Sequence, residues 1–217
     1  MDDVFIFVQK PEETFVKLYH CEGARSLRAV WALEELGLDY ELIKLQFPPR
    51  VFHKDYKEVN PLGTIPFLMD GDVEMTESAG ICEYLGTQHG PTSLAVTPDE
   101  KAYGVYLNWL HRSDATLTFP QTLVLRYTML EPEERRQPQV AQDYKKWFLG
   151  RWRSVEAALE GHDYLCANRF TMADIAVGYA FFLATKSLGI EEAVTPNVAK
   201  WWARLEAREG YQKAIAK

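Results

Sequence analysis

The sequence predicts an α/β domain of helices layered on a small mixed sheet, followed by a domain built only of helices. Three observations lead there. Short apolar runs alternate with helical patterns in a β-α-β-α-β-β-α order up to residue 89. Residues 90–98, beginning Gly90-Pro91-Thr92-Ser93 and ending at Pro98, form a linker of Gly, Pro, Ser and Thr. Beyond it no strand pattern appears, and apolar residues recur at helical spacing. The chain thus divides into an extension (1–14), a first domain (15–89), the linker (90–98) and a helical domain (99–217).

In the extension, Val4 to Val8 is an apolar patch followed by polar, turn-like Gln9 to Glu13. Phe15 to His20 reads as the first core strand. After the loop Glu22-Gly23-Ala24, a helix runs from Ser26 to Leu36. Leu27, Val30, Trp31, Leu33 and Leu36 face inward, and Gly37 stops it. Tyr40 to Leu45 is a second strand, broken by Pro48-Pro49, and Val51 to Val59 is a short irregular helical segment. With the hairpin and helix that follow, this order matches a thioredoxin-like layer of helices on a mixed sheet. In the second half, Asp99 to Leu117 reads as a long amphipathic helix interrupted at Pro120, with helix resuming at Leu123-Val124-Leu125. Glu131 to Arg136 is a charged turn, and helices follow over 140–159, 175–183, 197–207 and from Tyr211 to the end. Trp201-Trp202 is expected in the core with one ring at the surface. Thr171 and Asp174 stand at capping-box spacing before the apolar run Ile175 to Leu183 and are read as a structural cap.

The most informative stretch is Asn60 to Ser78. Asn60-Pro61 and Gly63 punctuate a loop. Ile65 to Met69 is apolar but carries Pro66, which belongs at a strand's first residue or edge because it cannot donate to a ladder. Asp70-Gly71 between apolar runs signals a hairpin. Glu77-Ser78 then opens a helix, with Ser78 suited to cap its free donors. A cis form of the Ile65–Pro66 bond would turn the Ile65 backbone outward, where an extended ligand can pair with it.

Asn-Pro-x-Gly-x-Ile-Pro-x-Leu, the acidic hairpin and Glu-Ser opening the helix Ala79 to Leu85 together resemble the glutathione-binding half of the glutathione transferase family. Thr171 and Asp174 are similar to the family's N-capping box, so the resemblance extends over everything from Phe15 onward. It implies a glutathione transferase fold of the bacterial, cytosolic type, with glutathione as cosubstrate. It also implies that Pro66 is cis, that the Ile65–Pro66 backbone pairs with the cysteinyl unit, and that Glu77 and Ser78 hold the γ-glutamyl ammonium and carboxylate. His53 and Lys54 would contact the glycine carboxylate. The second-substrate pocket would be drawn from Tyr103, Tyr106, Trp109, Arg112, Ser113 and Phe119, although an aromatic stripe at helical spacing is more often core. The resemblance further implies a homodimer pairing one subunit's first domain with the other's second.

Only the thiolate of glutathione is a good nucleophile, so the protein must stabilise it near a helix N-terminus. The place is the loop Tyr19 to Ser26, where family members put Tyr, Ser or Cys. Many bacterial relatives read Ser-Arg-Ser there, and this chain has Ala24-Arg25-Ser26; another bacterial group has Cys where Arg25 stands. Four candidates remain. Ser26 leads narrowly, as thiol donor or helix cap. Arg25 can stabilise a thiolate or an anionic substrate. Cys21 can form a mixed disulfide or be a buried, inert thiol. Tyr19, in the strand, reads better as a wall or core residue.

Composition bounds the rest. The 217 residues are 47% hydrophobic and 25% charged, enough for one large or two small domains. A net charge of −7 argues against nucleic acid or anionic membrane as the main partner. There is no apolar run of membrane-spanning length, and the acid-flanked patch 4–8 is too short for a signal peptide. Cys21, Cys82 and Cys166 form no pair motif and no metal spacing, which suits a reducing cytoplasm and no metal. The expected activity is conjugation of glutathione to a small hydrophobic electrophile. The alternatives are glutathione-dependent thiol transfer, peroxide reduction, thioether cleavage or isomerisation, and a non-catalytic ligand- or protein-binding role.

Overall fold

A computed structural model describes residues 16–217. The apolar patch and the extension assigned to the first residues lie outside the described residues. Strand β1 (Val16–His20) buries Val16, Leu18 and His20 alternately, as a period of two requires. Helix α1 (Leu27–Leu36) ends at Gly37, whose φ of +64° lets its N–H turn back onto the Leu33 and Glu34 carbonyls. The crossover through α1 brings β2 (Tyr40–Lys44) parallel to β1. Strand β3 (Phe67–Asp70) runs antiparallel to β1, and β4 (Val73–Met75) antiparallel to β3, giving the order β2-β1-β3-β4. Helix α4 (Ser78–Gln88) packs beside α1. The α/β layer followed by helices is the fold class expected.

Several local expectations shift. The irregular segment is two single-turn helices, α2 (Pro49–Phe52) and α3 (Tyr56–Val59). The hairpin loop is Gly71-Asp72, one residue later than Asp70-Gly71, because Asp70 pairs with Val73. The Asp70 carboxylate is buried and held by Tyr84 Oη at 3.0 Å and His89 Nε2 at 2.7 Å, so Asp70 serves the strand.

In the helical half, α5 (Tyr103–Arg112) gives way to a π-helical turn over Ser113–Thr118 before α6 (Phe119–Leu125). The interruption therefore begins well before Pro120, which sits at a helix start, where its missing N–H is harmless. In the wider turn the Phe119 N–H bonds five residues back to Asp114. The Ser113 carbonyl is bonded by Thr118 Oγ1 at 2.7 Å and Arg28 Nη2 at 3.0 Å. The charged turn is knotted by buried Glu131, whose carboxylate takes Arg126 and Arg135.

Helices α7 (Pro138–Ala158), α8 (Met172–Phe182), α9 (Pro196–Glu206) and α10 (Glu209–Ile215) complete the chain. Every residue from Met172 to Phe181 is buried, so α8 is the axis around which the others pack. Both Trp201 and Trp202 are buried, contrary to the expectation of one surface ring. Trp202 lies 4.9 Å from the Phe181 ring and 5.2 Å from Tyr211.

Helix α10 locks onto α1 at Glu35. That carboxylate accepts from Trp31 Nε1 at 3.0 Å and from Arg208 at 2.8 and 2.7 Å, and a Cβ at Gly210 would lie 2.6 Å from Glu35 Cδ. Because three donors pin the carboxylate, it cannot swing aside. Gly210→Ala should therefore lower the unfolding free energy by about 1–3 kcal/mol, read as a lower urea midpoint at unchanged slope.

Candidate functional site

Strand directions decide where the candidate residues meet. β1 and β2 run parallel, so their ends lie at one edge of the sheet. β3 runs the other way and starts at that edge, and β4 returns to it. Consequently the loop after β1, the segment after β2, the Ile65–Pro66 loop and the start of α4 converge. The Ile65–Pro66 bond is cis. Ile65 and Phe67 form a small buried cluster with Cys21 and Tyr56, against which Tyr19 and Ala24 pack.

The thiol-site candidates now separate. Ser26 is fully buried, and its hydroxyl lies 2.9 Å from His20 Nδ1 while accepting from the Cys21 N–H at 3.2 Å. It makes no side-chain cap, and it ties the end of β1 to the start of α1. His20 is held down to about 4 by burial and by nearby Lys44, so it is neutral and packs in the core. Cys21 is buried and burial pushes its thiol up to about 11, the inert thiol anticipated as one alternative. The Tyr19 ring lies tilted against those of Tyr56 and Phe67, 5.3 and 5.9 Å between centroids. Arg25 alone reaches across the cleft to the helical half. Its Nη1 meets the Asp114 carboxylate at 3.2 Å, and its Nη2 donates to Thr122 Oγ1 at 3.3 Å.

At the start of α4, Glu77 occupies the N-cap position and is exposed. Ser78 is the first helical residue and is buried; its hydroxyl accepts from Arg28 Nη1 at 2.9 Å, so the capping role expected for Ser78 is not made. A backbone N–H set at a helix N-terminus with a guanidinium behind it suits a carboxylate. His53 Nε2 accepts from the Gln46 N–H at 3.0 Å and Lys54 is exposed beside it, both on the segment following β2.

Arg28 was not singled out by the sequence reading. It is fully buried in α1 and uses all five donors. Nε donates to the Ala176 carbonyl (2.8 Å), Nη1 to Ser78 Oγ and Asp114 Oδ1 (3.1 Å), and Nη2 to the Ser113 carbonyl and Thr118 Oγ1 (2.7 Å). The Tyr179 ring covers it at 4.9 Å. The signal was its position one turn before Trp31, on the same helix face.

Of the six residues expected to line a second-substrate pocket, three are buried and one is exposed. Tyr106 and Trp109 are core residues, because α5 turns its aromatic face onto α4 and α8. Tyr103 packs half-buried against the same core. Arg112 lies 4.4 Å from the Trp109 ring and bonds Ser154. The Ser113 hydroxyl donates to the Leu110 carbonyl at 2.6 Å. Phe119 is the one of the six that is exposed, at 55%. The helical wall opposite the thiol loop is instead Asp114, Thr122 and Tyr179, whose hydroxyl lies 3.4 Å from the Gly23 carbonyl.

Thr171 and Asp174 form a reciprocal capping box: the Ala173 N–H donates to Thr171 Oγ1 at 3.3 Å and the Thr171 N–H to Asp174 Oδ2 at 2.9 Å. Among the described residues no group of three or more His, Cys, Asp and Glu side chains is placed to hold a metal ion, and no helix is long and apolar enough to cross a membrane.

Family models described as glutathione S-transferase, N-terminal domain, and glutathione S-transferase, C-terminal domain, match residues 18–93 and 124–209. The chain is 30% identical to glutathione S-transferase 1 of Zea mays over 211 residues, covering 93% of this chain and 96% of that one. It is likewise 30% identical to a probable glutathione S-transferase of Oryza sativa subsp. japonica, covering 87% of this chain and 90% of the relative. Among solved structures, the glutathione transferase URE2P6 from Phanerochaete chrysosporium, in complex with oxidized glutathione, superposes with a TM-score of 0.82 at 26% identity, covering 94% and 96% of the two chains.

Proposed function

Because the chain belongs to the glutathione S-transferase family, we propose that it binds glutathione at the sheet edge described above and delivers its thiol to a small hydrophobic electrophile. One observation carries this reading: the Ile65–Pro66 loop, the Ser78 hydroxyl at the start of α4 and the thiol loop converge on one edge. The cysteinyl backbone pairs with Ile65, the γ-glutamyl carboxylate sits over Ser78 and the α4 N-terminus, and Glu77 takes the ammonium. His53 and Lys54 meet the glycine carboxylate. A homodimer acting in a reducing cytoplasm accords with the family and with three buried free cysteines.

Thiol stabilisation falls to Arg25. Ala24 offers no hydroxyl, Ser26 is sealed against His20, and Cys21 is a buried thiol. Arg25 is half-exposed at the cleft, and its ion pair with Asp114 holds the guanidinium in place. The same lack of a side-chain hydroxyl favours one second reading, a glutathione-binding protein without conjugating activity.

The test combines calorimetry with the thiolate absorbance of bound glutathione across pH. Wild type should bind glutathione with a lowered thiol pKa. Arg25→Ala should keep binding and raise that pKa by roughly one unit, the scale of a nearby opposite charge. Binding with an unshifted thiol in wild type supports the second reading; no binding removes both.

A further inference from the structure

Asn60 and Tyr56 stand apart from every role assigned above, yet both are buried and both aim at one atom. Tyr56 Oη donates to the Thr64 carbonyl at 2.8 Å, and Asn60 Nδ2 donates to the same oxygen at 2.8 Å. Asn60 also builds the rest of the loop: its Oδ1 accepts from the Leu62 N–H at 3.1 Å and its carbonyl from the Gly63 N–H at 2.8 Å. Its own N–H returns to the Tyr56 carbonyl at 2.8 Å. The Tyr56 ring is fixed in turn against Tyr19. A carbonyl that accepts from two buried side chains cannot rotate without leaving both donors unpaired.

The Thr64–Ile65 peptide is planar, so its N–H points opposite its C=O. Holding the Thr64 oxygen inward toward α3 therefore holds the Ile65 N–H in the opposite direction. We propose that Asn60 and Tyr56 are positioning residues: a two-donor clamp on the Thr64 carbonyl that keeps the Ile65 backbone oriented for pairing with the cysteinyl unit of glutathione. This rests on the glutathione-binding reading above. The clamp also ties α3 to that loop. The segment bearing His53 and Lys54 is thereby registered with Ile65, so the glycine end and the central cysteinyl unit of an extended tripeptide meet a preformed site.

Two variants test it. Tyr56→Phe keeps the ring and removes one donor. Asn60→Asp keeps an acceptor for the Leu62 N–H and turns a carboxylate oxygen toward the Thr64 carbonyl. Binding of S-methylglutathione, which has no thiol, is measured by calorimetry, beside the thiol pKa of bound glutathione and the thermal midpoint. The expected result is about fivefold weaker binding for Tyr56→Phe and about tenfold or more for Asn60→Asp, the range of one lost and one reversed hydrogen bond. The bound thiol pKa should stay at the wild-type value in both. Wild-type affinity in both variants, or a lowered midpoint with unchanged affinity, overturns the clamp and leaves glutathione binding standing. Absence of binding in wild type overturns the two together.

Discussion

Arg28→Met is expected to lower the unfolding free energy by about 3–5 kcal/mol, as breaking a buried ionic network by removing one member does. Methionine fills much of the volume, so the loss is one of polar partners. The Ala176 and Ser113 carbonyls lose a guanidinium donor, and the Asp114 carboxylate keeps only Arg25. Arg28→Lys should rescue little, since a single ammonium cannot reach five acceptors spread over α4, the π turn and α8. The measurement is urea unfolding of both variants, with the slope checked for two-state behaviour. Near-wild-type stability of Arg28→Met would mean that these acceptors find water instead.

Asp174→Ala comes second. Four donors converge on that carboxylate: the Thr171 N–H and hydroxyl, the Leu165 N–H at 3.1 Å and Trp201 Nε1 at 2.9 Å. Removing it breaks one half of the α8 capping box and strands buried donors from three segments, a loss of about 3 kcal/mol or more. The contribution should also depend on pH. Burial pushes the Asp174 carboxyl up to about 6, against the pull of its four donors. The unfolded chain releases this proton near its ordinary value of about 4. Between those two values the folded state holds a proton that the unfolded state has lost, so stability from this group falls as pH rises through the window. The penalty of Asp174→Ala should accordingly be larger at about pH 4.5 than at about pH 7.5. A pH-independent penalty would mean that the carboxyl titrates alike in both states.

The sequence by itself determined the fold class, the loop around Pro66, the helix opening at Glu77-Ser78 and the capping box before α8. Each of these is written in residues a few positions apart, where proline, glycine, turn acids and helical spacing act on the neighbouring backbone. Only the tertiary structure decided which side chains face the cleft. Ser26 lies in the loop expected to hold the thiol, yet it is drawn inward by His20, a residue six positions earlier on a different element. Tyr106 and Trp109 form a stripe at helical spacing, but whether that stripe lines a pocket or fills a core depends on where α8 lies. The partners of Arg28 are as far as 148 positions away, and no local pattern encodes such a separation. Spacing along a chain specifies which face of an element a residue occupies; what that face meets is set by the packing of all the others.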